Sequence, residues 1–320
     1  MSSLLSKFTI GTIGLTCKTF LNIGYCGSVT VNGLDNLINA LKSEERNNGR
    51  GVITLSNHIS TLDDPVTWGI LPTRYFFSTR TTRWVLGASD IMFTNPLLST
   101  FFRNGQVIET FRGGGIFQQA VDIAIRKVNE GAWVHLFGEG KVNQPLLQSS
   151  NRGDSEQHAH QLLRFKWGVG RIVMEARVPP VIIPMWLTGF DQLMPEGRPG
   201  IRKFFPRPGV HLSVTFGKPI DDEAIRRALK DTVSTHKHDV FSSRSSSSSD
   251  AGEQKGAAKS EEGWLRDAIP STKSENASGK QDEQAHSVEA TSRTRSALTA
   301  LIQSYVQALG DDVIRQQRTP

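Results

Sequence analysis

The first 230 residues of the chain alternate short apolar runs with segments of helical periodicity. Apolar runs predict strands at residues 51–55, 106–111, 132–137, 181–187 and 211–216. Apolar residues recur at three- and four-residue spacing between residues 116 and 128, and a further helix is predicted over residues 165–177. This alternation predicts an α/β fold with a largely parallel sheet flanked by helices.

The pattern is lost after residue 231. Residues 232–295 are rich in serine, lysine, glutamate, glutamine and glycine, with few large apolar side chains, so this insertion is predicted to be disordered. Residues 144–160 are predicted to form a polar loop, whose His158 and His160 suit solvated surface better than a metal site. Helical spacing returns after residue 296 with Leu298, Leu301, Ile302, Tyr305, Val306 and Leu309. The predicted organisation is an N-terminal segment (1–30), a folded domain (31–231), the insertion (232–295) and a C-terminal helix (296–320) packing on the domain.

Charge and composition narrow the classes of partner. The formal net charge is +6, which favours either nucleic acid or an anionic membrane surface. Aromatic residues interleaved with arginines between residues 68 and 103 suit either partner as well as an ordinary core.

No stretch approaches the 18 apolar residues of a spanning helix. Residues 8–17, flanked by lysines, suit either an interfacial membrane-associating segment or a cleaved presequence. The two cysteines give neither a disulfide framework nor zinc spacing.

A histidine and an aspartate five residues apart follow the first predicted strand. His58 and Asp63 would not face each other on a helix, so they meet only if a turn intervenes. Asp64 is the better candidate for a helix N-cap, with Pro65 at the first helical position, which leaves Asp63 free to reach back. In the functional interpretation Asp63 orients His58, which acts as a general base on a hydroxyl. The alternative is a histidine that ends a strand and an aspartate that caps a helix.

Two further turns at strand ends carry candidate binding residues. Arg112 precedes three glycines beginning at Gly113, so a guanidinium and helix N-terminal N–H groups could converge on a phosphate. A glycine hinge with an exposed arginine is the alternative. Glu139 and Gly140 follow the strand at residues 132–137, where Glu139 could accept from a substrate hydroxyl or hold Arg112, or be a surface carboxylate in an ordinary turn.

In order and content these segments resemble the four sequence blocks of the glycerolipid acyltransferases. The matching segments are Asn57-His58 through Asp63, Arg112-Gly113, Phe137-Gly138-Glu139-Gly140 and Val181-Ile182-Ile183-Pro184. Within that family, the resemblance to a branch of cardiolipin-remodelling transacylases is specific and extends through Trp68-Gly69, Trp133-Val134-His135, Lys141-Val142-Asn143 and Leu163 to Arg171. It covers most of the chain to about residue 225 and the final helix.

The resemblance implies a glycerol-3-phosphate acyltransferase-like fold and a transacylase that needs no coenzyme A, metal or other cofactor. Its implied partners are phospholipids and lysophospholipids, among them cardiolipin, monolysocardiolipin and phosphatidylcholine, at a membrane surface and not nucleic acid. His58 and Asp63 would be catalytic, while Arg112, Gly113, Glu139 and Gly140 would bind substrate. The implied location is peripheral or interfacial on mitochondrial outer and inner membranes, facing the intermembrane space.

One residue departs from the family pattern. The third block usually reads Phe-Pro-Glu-Gly, whereas this chain has Gly138, which removes a fixed φ and is expected to lower stability or activity somewhat. An acyl-CoA-dependent lysophospholipid acyltransferase, sharing all four blocks, and a catalytically silent lipid-binding scaffold remain as alternatives. A serine lipase is disfavoured because the chain has no Gly-x-Ser-x-Gly elbow.

Overall fold

The structure is a computed structural model that describes residues 3–144, 160–230, 264–265 and 280–318. Within these residues, seven strands form a sheet in the order β1-β7-β6-β2-β5-β3-β4. The strands are β1 (Ser28–Asn32), β2 (Val52–Ser56), β3 (Trp84–Ala88), β4 (Val107–Thr110), β5 (Trp133–Phe137), β6 (Val181–Thr188) and β7 (His211–Phe216). Every neighbouring pair is parallel except β6 and β7. The predicted α/β class with a largely parallel sheet is confirmed.

Helices cover both faces of this sheet. They are α1 (Ser3–Asn22), α2 (Leu34–Lys42), α3 (Asp63–Val66), α4 (Ser89–Met92), α5 (Pro96–Asn104), α6 (Gln119–Asn129), α7 (Gly168–Met174), α8 (Phe190–Leu193), α9 (222–230) and α10 (Lys280–Arg318). Short 3₁₀ turns lie at Glu44–Asn48, Thr67–Ile70, Thr73–Phe77 and Gly200–Phe204.

The central strands are buried on both faces, as expected where helices cover a parallel sheet. Side chains that alternate along a strand point to opposite faces. In β2, Ile53 and Leu55 join a core cluster that includes residues of α6, α7 and α10. Val52 joins the cluster on the other face, with residues of α1 and α2. The sheet is therefore the middle layer of three, and the loops at its ends carry the chemistry.

Helix α1 packs on the domain through one side and leaves apolar residues exposed on the other. Cys17 and Leu21 are buried in the core, whereas Leu4 and Phe8 are 78% and 73% exposed. Gly14 permits the close approach, because a Cβ there would lie 2.6 Å from the ring of Phe76. No helix in the described part of the chain is long and apolar enough to cross a membrane. Association of residues 1–30 with a membrane stays a prediction, and the sheet already begins within that segment, at β1.

The C-terminal helix starts earlier than the apolar spacing indicates. Helix α10 begins at Lys280, so residues 280–295, predicted to belong to the disordered insertion, are helical. The reason is visible in the buried polar side chains of Thr294 and Arg295, which give this part of the helix no apolar periodicity. Trp264 and Leu265 are also buried on the core, and the Trp264 Nε1–H donates to the Val173 carbonyl oxygen at 2.8 Å. The remaining insertion residues (232–263 and 266–279) and most of the predicted 144–160 loop (residues 145–159) lie outside the described residues.

Candidate active site

The candidate catalytic residues lie at one edge of the sheet. Strands β2, β5 and β6 are parallel neighbours, so their carboxyl ends meet at the same edge, where ligands gather in folds of this kind. His58 follows β2, and Glu139 follows β5. Asn57 fixes the loop after β2 to β6, because its side-chain amide donates to the Leu187 carbonyl at 2.9 Å and accepts from the Leu187 N–H at 2.8 Å.

The structure brings His58 and Asp63 into contact. His58 Nδ1 lies 2.9 Å from Asp63 Oδ2, which also accepts the backbone N–H groups of Ile59 at 2.7 Å and Ser60 at 2.9 Å. These bonds form a tight turn around the carboxylate, and this is the turn that the five-residue spacing requires. Burial raises the pKa of the Asp63 carboxyl, while the His58 and backbone hydrogen bonds act in the opposite direction.

The predicted N-cap at Asp64 is wrong. Helix α3 has Leu62 at its N-cap, with no side-chain hydrogen bond, and the backbone of Asp64 is itself non-helical. The Asp64 carboxylate instead pairs with Arg83, and its Oδ1 lies 2.6 Å from Arg83 Nε. This ion pair holds the pKa of Asp64 below its ordinary value despite burial. A nearly buried guanidinium is a stronger partner for a carboxylate than a helix N–H group, and sequence spacing gave no sign of it.

The orientation of the His58 ring is fixed from two sides. Nδ1 is held by Asp63, and the ring stacks on Phe137 with centroids 4.1 Å apart and an interplanar angle of 22°. The side chain keeps 20% of its surface exposed. Among the residues that the structure describes, none forms a hydrogen bond with Nε2. The arrangement is that of a base with one nitrogen occupied and the other available to a substrate.

Glu139 is bound on both carboxylate oxygens by the protein itself. Oε1 accepts the His58 backbone N–H at 3.0 Å, and Oε2 accepts from Asn143 Nδ2 at 2.7 Å and the Leu163 N–H at 2.9 Å. The residue is 2% exposed, and burial raises the pKa of its carboxyl. The Asn143 N–H in turn donates to the His58 carbonyl oxygen at 2.6 Å. Glu139 and Asn143 therefore hold the backbone of His58 on both sides.

Arg112 and Gly113 lie on the loop that follows β4, apart from this hydrogen-bonded group. Arg112 is exposed and contacts Asp90, with 3.1 Å between Nη1 and Oδ2, so its ion-pair partner is not Glu139. Gly113 has φ of +79°, a conformation that favours glycine. Helix α6 begins only at Gln119, so residues 114–118 separate the helix N-terminus from Gly113. Gly140 also has positive φ, +70°, in the turn whose N–H bonds to the Phe137 carbonyl.

A row of buried, hydrogen-bonded polar side chains lies behind His58 and was not predicted from the sequence. Trp133 Nε1–H donates to Thr54 Oγ1 at 2.9 Å, and Thr54 Oγ1 lies 2.8 Å from His135 Nδ1. Because Thr54 accepts from the indole, its own proton is available to Nδ1. Burial lowers the pKa of His135 to about 3, so the ring is neutral at physiological pH. Alternation along β5 could have marked His135 as an inward-facing polar residue.

Known proteins with similar sequences identify the family. The acyltransferase family model matches residues 28–188, which is half of the chain. A protein of Dictyostelium discoideum named taffazin is 36% identical over 232 residues, covering 71% of this chain and 74% of its own length. The chain belongs to the acyltransferase family, as an O-acyltransferase. Within that family it is a homologue of the tafazzins.

Two further relatives are matched over less of their own length than the Dictyostelium protein, and one solved structure is matched over more. Tafazzin of Drosophila melanogaster is 37% identical over 216 residues, 68% of this chain and 51% of the fly protein. The N-acylphosphatidylethanolamine synthase of Arabidopsis thaliana is 38% identical over 197 residues, 61% of this chain and 64% of the plant protein. A crystal structure of the 1-acyl-sn-glycerophosphate acyltransferase of Thermotoga maritima matches 75% of this chain and 81% of its own, at 19% identity and a TM-score of 0.45.

Proposed function

We propose that this protein moves an acyl chain from a phospholipid to a lysophospholipid without coenzyme A, and so remodels cardiolipin at mitochondrial membranes facing the intermembrane space. The observation that carries the proposal is the His58 ring, held by Asp63 and Phe137, whose Nε2 forms no hydrogen bond with the residues that the structure describes, in a homologue of the tafazzins. Peripheral or interfacial attachment fits the exposed apolar side of α1 and the net charge of +6.

The geometry supports a single-displacement mechanism. Nδ1–H donates to Asp63, so Nε2 is the acceptor and takes the proton from the free hydroxyl of the lysolipid. The hydroxyl oxygen then attacks the ester carbonyl carbon of the donor. Collapse of the tetrahedral intermediate breaks the donor C–O bond, and the departing alkoxide receives the proton from the imidazolium. Each turn exchanges one carboxylic ester for another and converts the donor into a lysolipid, so the free-energy change is small and the same steps can run in reverse.

Asp63 contributes by fixing the tautomer and by stabilising the imidazolium that forms during the attack. Its burial favours this role, because a charge pair in a site shielded from water interacts more strongly than one in solvent. Glu139 keeps the His58 backbone in place through the bond at 3.0 Å. In this proposal the glycerol phosphate is held by Arg112 and Gly113, with the turn at Glu139 and Gly140 shaping the site.

The test is a transfer assay in liposomes. Phosphatidylcholine carrying a labelled acyl chain is mixed with monolysocardiolipin, and labelled cardiolipin is measured with and without acyl-CoA. Label transfer in the absence of acyl-CoA supports the proposal. Transfer only from labelled acyl-CoA would instead indicate an acyl-CoA-dependent lysophospholipid acyltransferase, and no transfer from either donor would indicate a lipid-binding scaffold.

An amine acceptor is the second candidate. It is favoured by the relative named N-acylphosphatidylethanolamine synthase, which is 38% identical to this chain. An amine could be deprotonated by the same Nε2 and attack the same ester carbonyl. The assay distinguishes the two acceptors when phosphatidylethanolamine replaces monolysocardiolipin, because the amide product resists mild alkaline hydrolysis whereas the ester product does not.

A further inference from the structure

The loop from Met194 to Pro208, here called the basic loop, combines exposed apolar side chains with cations. Ile201, Phe204 and Phe205 are 72%, 68% and 59% exposed. The loop carries four basic residues and one acidic residue, which are Arg198, Arg202, Lys203, Arg207 and Glu196. Three neighbouring large apolar residues at this exposure are unfavourable in water unless something covers them.

The basic loop encloses a cleft of about 400 Å³. Its lining includes Arg198, Arg202 and Arg207 together with Ile201 and Phe205. Arg198 is anchored within the loop, because its Nε–H donates to the Pro195 carbonyl oxygen at 3.2 Å. In the part of the chain that the structure describes, no acidic side chain forms an ion pair with any of these arginines. The cleft therefore presents guanidinium groups and apolar surface together.

The basic loop emerges beside the candidate active site. It follows β6, whose carboxyl end lies at the same edge as that of β2. Gln144 ties the two regions together, because its side chain bonds to the Met194 carbonyl at 3.0 Å and the Glu196 N–H at 2.9 Å. Its chain neighbour Asn143 donates to the His58 carbonyl. A binding partner that contacts the basic loop therefore lies close to His58.

We propose that the basic loop is the surface by which this protein binds anionic phospholipid bilayers. Ile201, Phe204 and Phe205 enter the boundary between headgroups and acyl chains, and the guanidinium groups of the cleft contact lipid phosphates. Nucleic acid would satisfy the cations but offers no apolar phase for Ile201. The inference rests on the proposed function in one respect, because membrane phospholipids are the substrates that give this edge a reason to face a bilayer.

The test measures binding of the full chain to vesicles by co-sedimentation. Phosphatidylcholine vesicles with and without phosphatidylglycerol are compared for Arg202→Gln/Lys203→Gln and Phe204→Ser/Phe205→Ser. The matched control is Lys42→Gln/Arg177→Gln, which removes two exposed cations near the opposite edge of the sheet. Each cation near an anionic surface strengthens binding roughly fivefold, so the first variant should bind phosphatidylglycerol vesicles about 30-fold more weakly. The control should change binding less than about threefold.

The serine variant should lose binding on both vesicle compositions, because the apolar contribution does not depend on lipid charge. Equal losses in Arg202→Gln/Lys203→Gln and the control would overturn the inference, since they would indicate an effect of net charge alone. Unchanged binding in the serine variant would overturn it as well. Tighter binding of the native protein to single-stranded DNA than to phosphatidylglycerol vesicles would favour nucleic acid instead.

A depth probe gives an independent readout. Cys17 and Cys26 are buried, so Phe204→Cys can be labelled selectively with a fluorophore that brightens in an apolar environment. Brightening on addition of phosphatidylglycerol vesicles is expected, and no change would contradict insertion.

Acyl transfer in detergent micelles separates this inference from the proposed function. Loss of vesicle binding in a basic-loop variant with normal micellar transfer supports the inference and leaves the proposed function intact, whereas absent transfer in a native protein that binds vesicles would contradict the function alone.

Discussion

Replacement of Glu139 by glutamine tests whether this residue positions His58 or holds substrate. The carboxylate accepts three N–H groups, and an amide in its place keeps one acceptor oxygen and turns the other into a donor. Either the His58 N–H or the Leu163 N–H then faces another donor. A buried donor left unpaired costs about 1–3 kcal/mol, and one to two such groups give an expected loss of about 2–4 kcal/mol.

The stability change is measured by thermal unfolding. For a domain of this size about 1 kcal/mol corresponds to about 2–4 °C, so Glu139→Gln should lower Tm by roughly 5–15 °C. The matched control is Glu223→Gln on the exposed side of α9, which should leave Tm within about 1 °C. A native Tm in Glu139→Gln would refute the argument, because the three hydrogen bonds would then contribute nothing.

The kinetic assay separates the two roles. If Glu139 acts by holding the His58 backbone, the variant should lose kcat while the KM for the lysolipid stays near its native value. If Glu139 binds the substrate hydroxyl, KM should rise instead. A rise in KM with unchanged kcat would therefore overturn the positioning role that the three occupied N–H contacts support.

Three further predictions concern groups around the same site. Asp63→Asn should reduce the CoA-free transfer rate at least about 100-fold, because the amide no longer stabilises the imidazolium; a native rate would exclude Asp63 from the mechanism. Burial lowers the pKa of His135 to about 3 in the folded protein from about 6.5 in the unfolded chain, so the unfolded state binds more protons between these values, and stability rises by about 4–5 kcal/mol as the pH increases across this window. Free energies of unfolding, measured by urea titration at several pH values, should rise with pH in the native protein and rise less steeply in His135→Gln. Equal slopes would contradict the prediction. Contrary to the expectation from the sequence that Gly138 lowers stability, Gly138→Pro, which restores the usual family residue, should lower Tm, because a Cβ there would lie 2.5 Å from the Phe165 ring; a higher Tm would show that the ring moves at no cost.

The central strands and the histidine turn could be predicted because their signals are local. Apolar runs mark β2, β5 and β6, which are buried on both faces, and the spacing of His58 and Asp63 leaves a turn as the only way for them to meet. Strands β1 and β3 were missed. In β1 the residues are exposed or half-buried at the edge of the sheet, and β3 lies in a region whose aromatic and basic residues masked its alternation.

Features that depend on distant partners could not be predicted. The ion pair between Asp64 and Arg83 changes the role of a residue that looked like a helix cap, and nothing in the local pattern marks it. The contact of Glu139 with the Leu163 N–H involves a backbone group, which leaves no trace in residue identity. For the same reason, the sequence left open a substrate contact, an ion pair with Arg112 or a surface carboxylate for Glu139, whereas the structure shows a buried carboxylate whose oxygens accept N–H groups of the protein.

The measurement that most directly tests the account is the CoA-free transfer rate of native protein and His58→Ala in the same liposomes. We expect labelled acyl chains to pass from phosphatidylcholine to monolysocardiolipin with the native protein. We also expect the variant, with unchanged vesicle binding and Tm, to be slower by a factor of at least about 100, because it lacks the general base. Transfer by His58→Ala at the native rate would contradict the account.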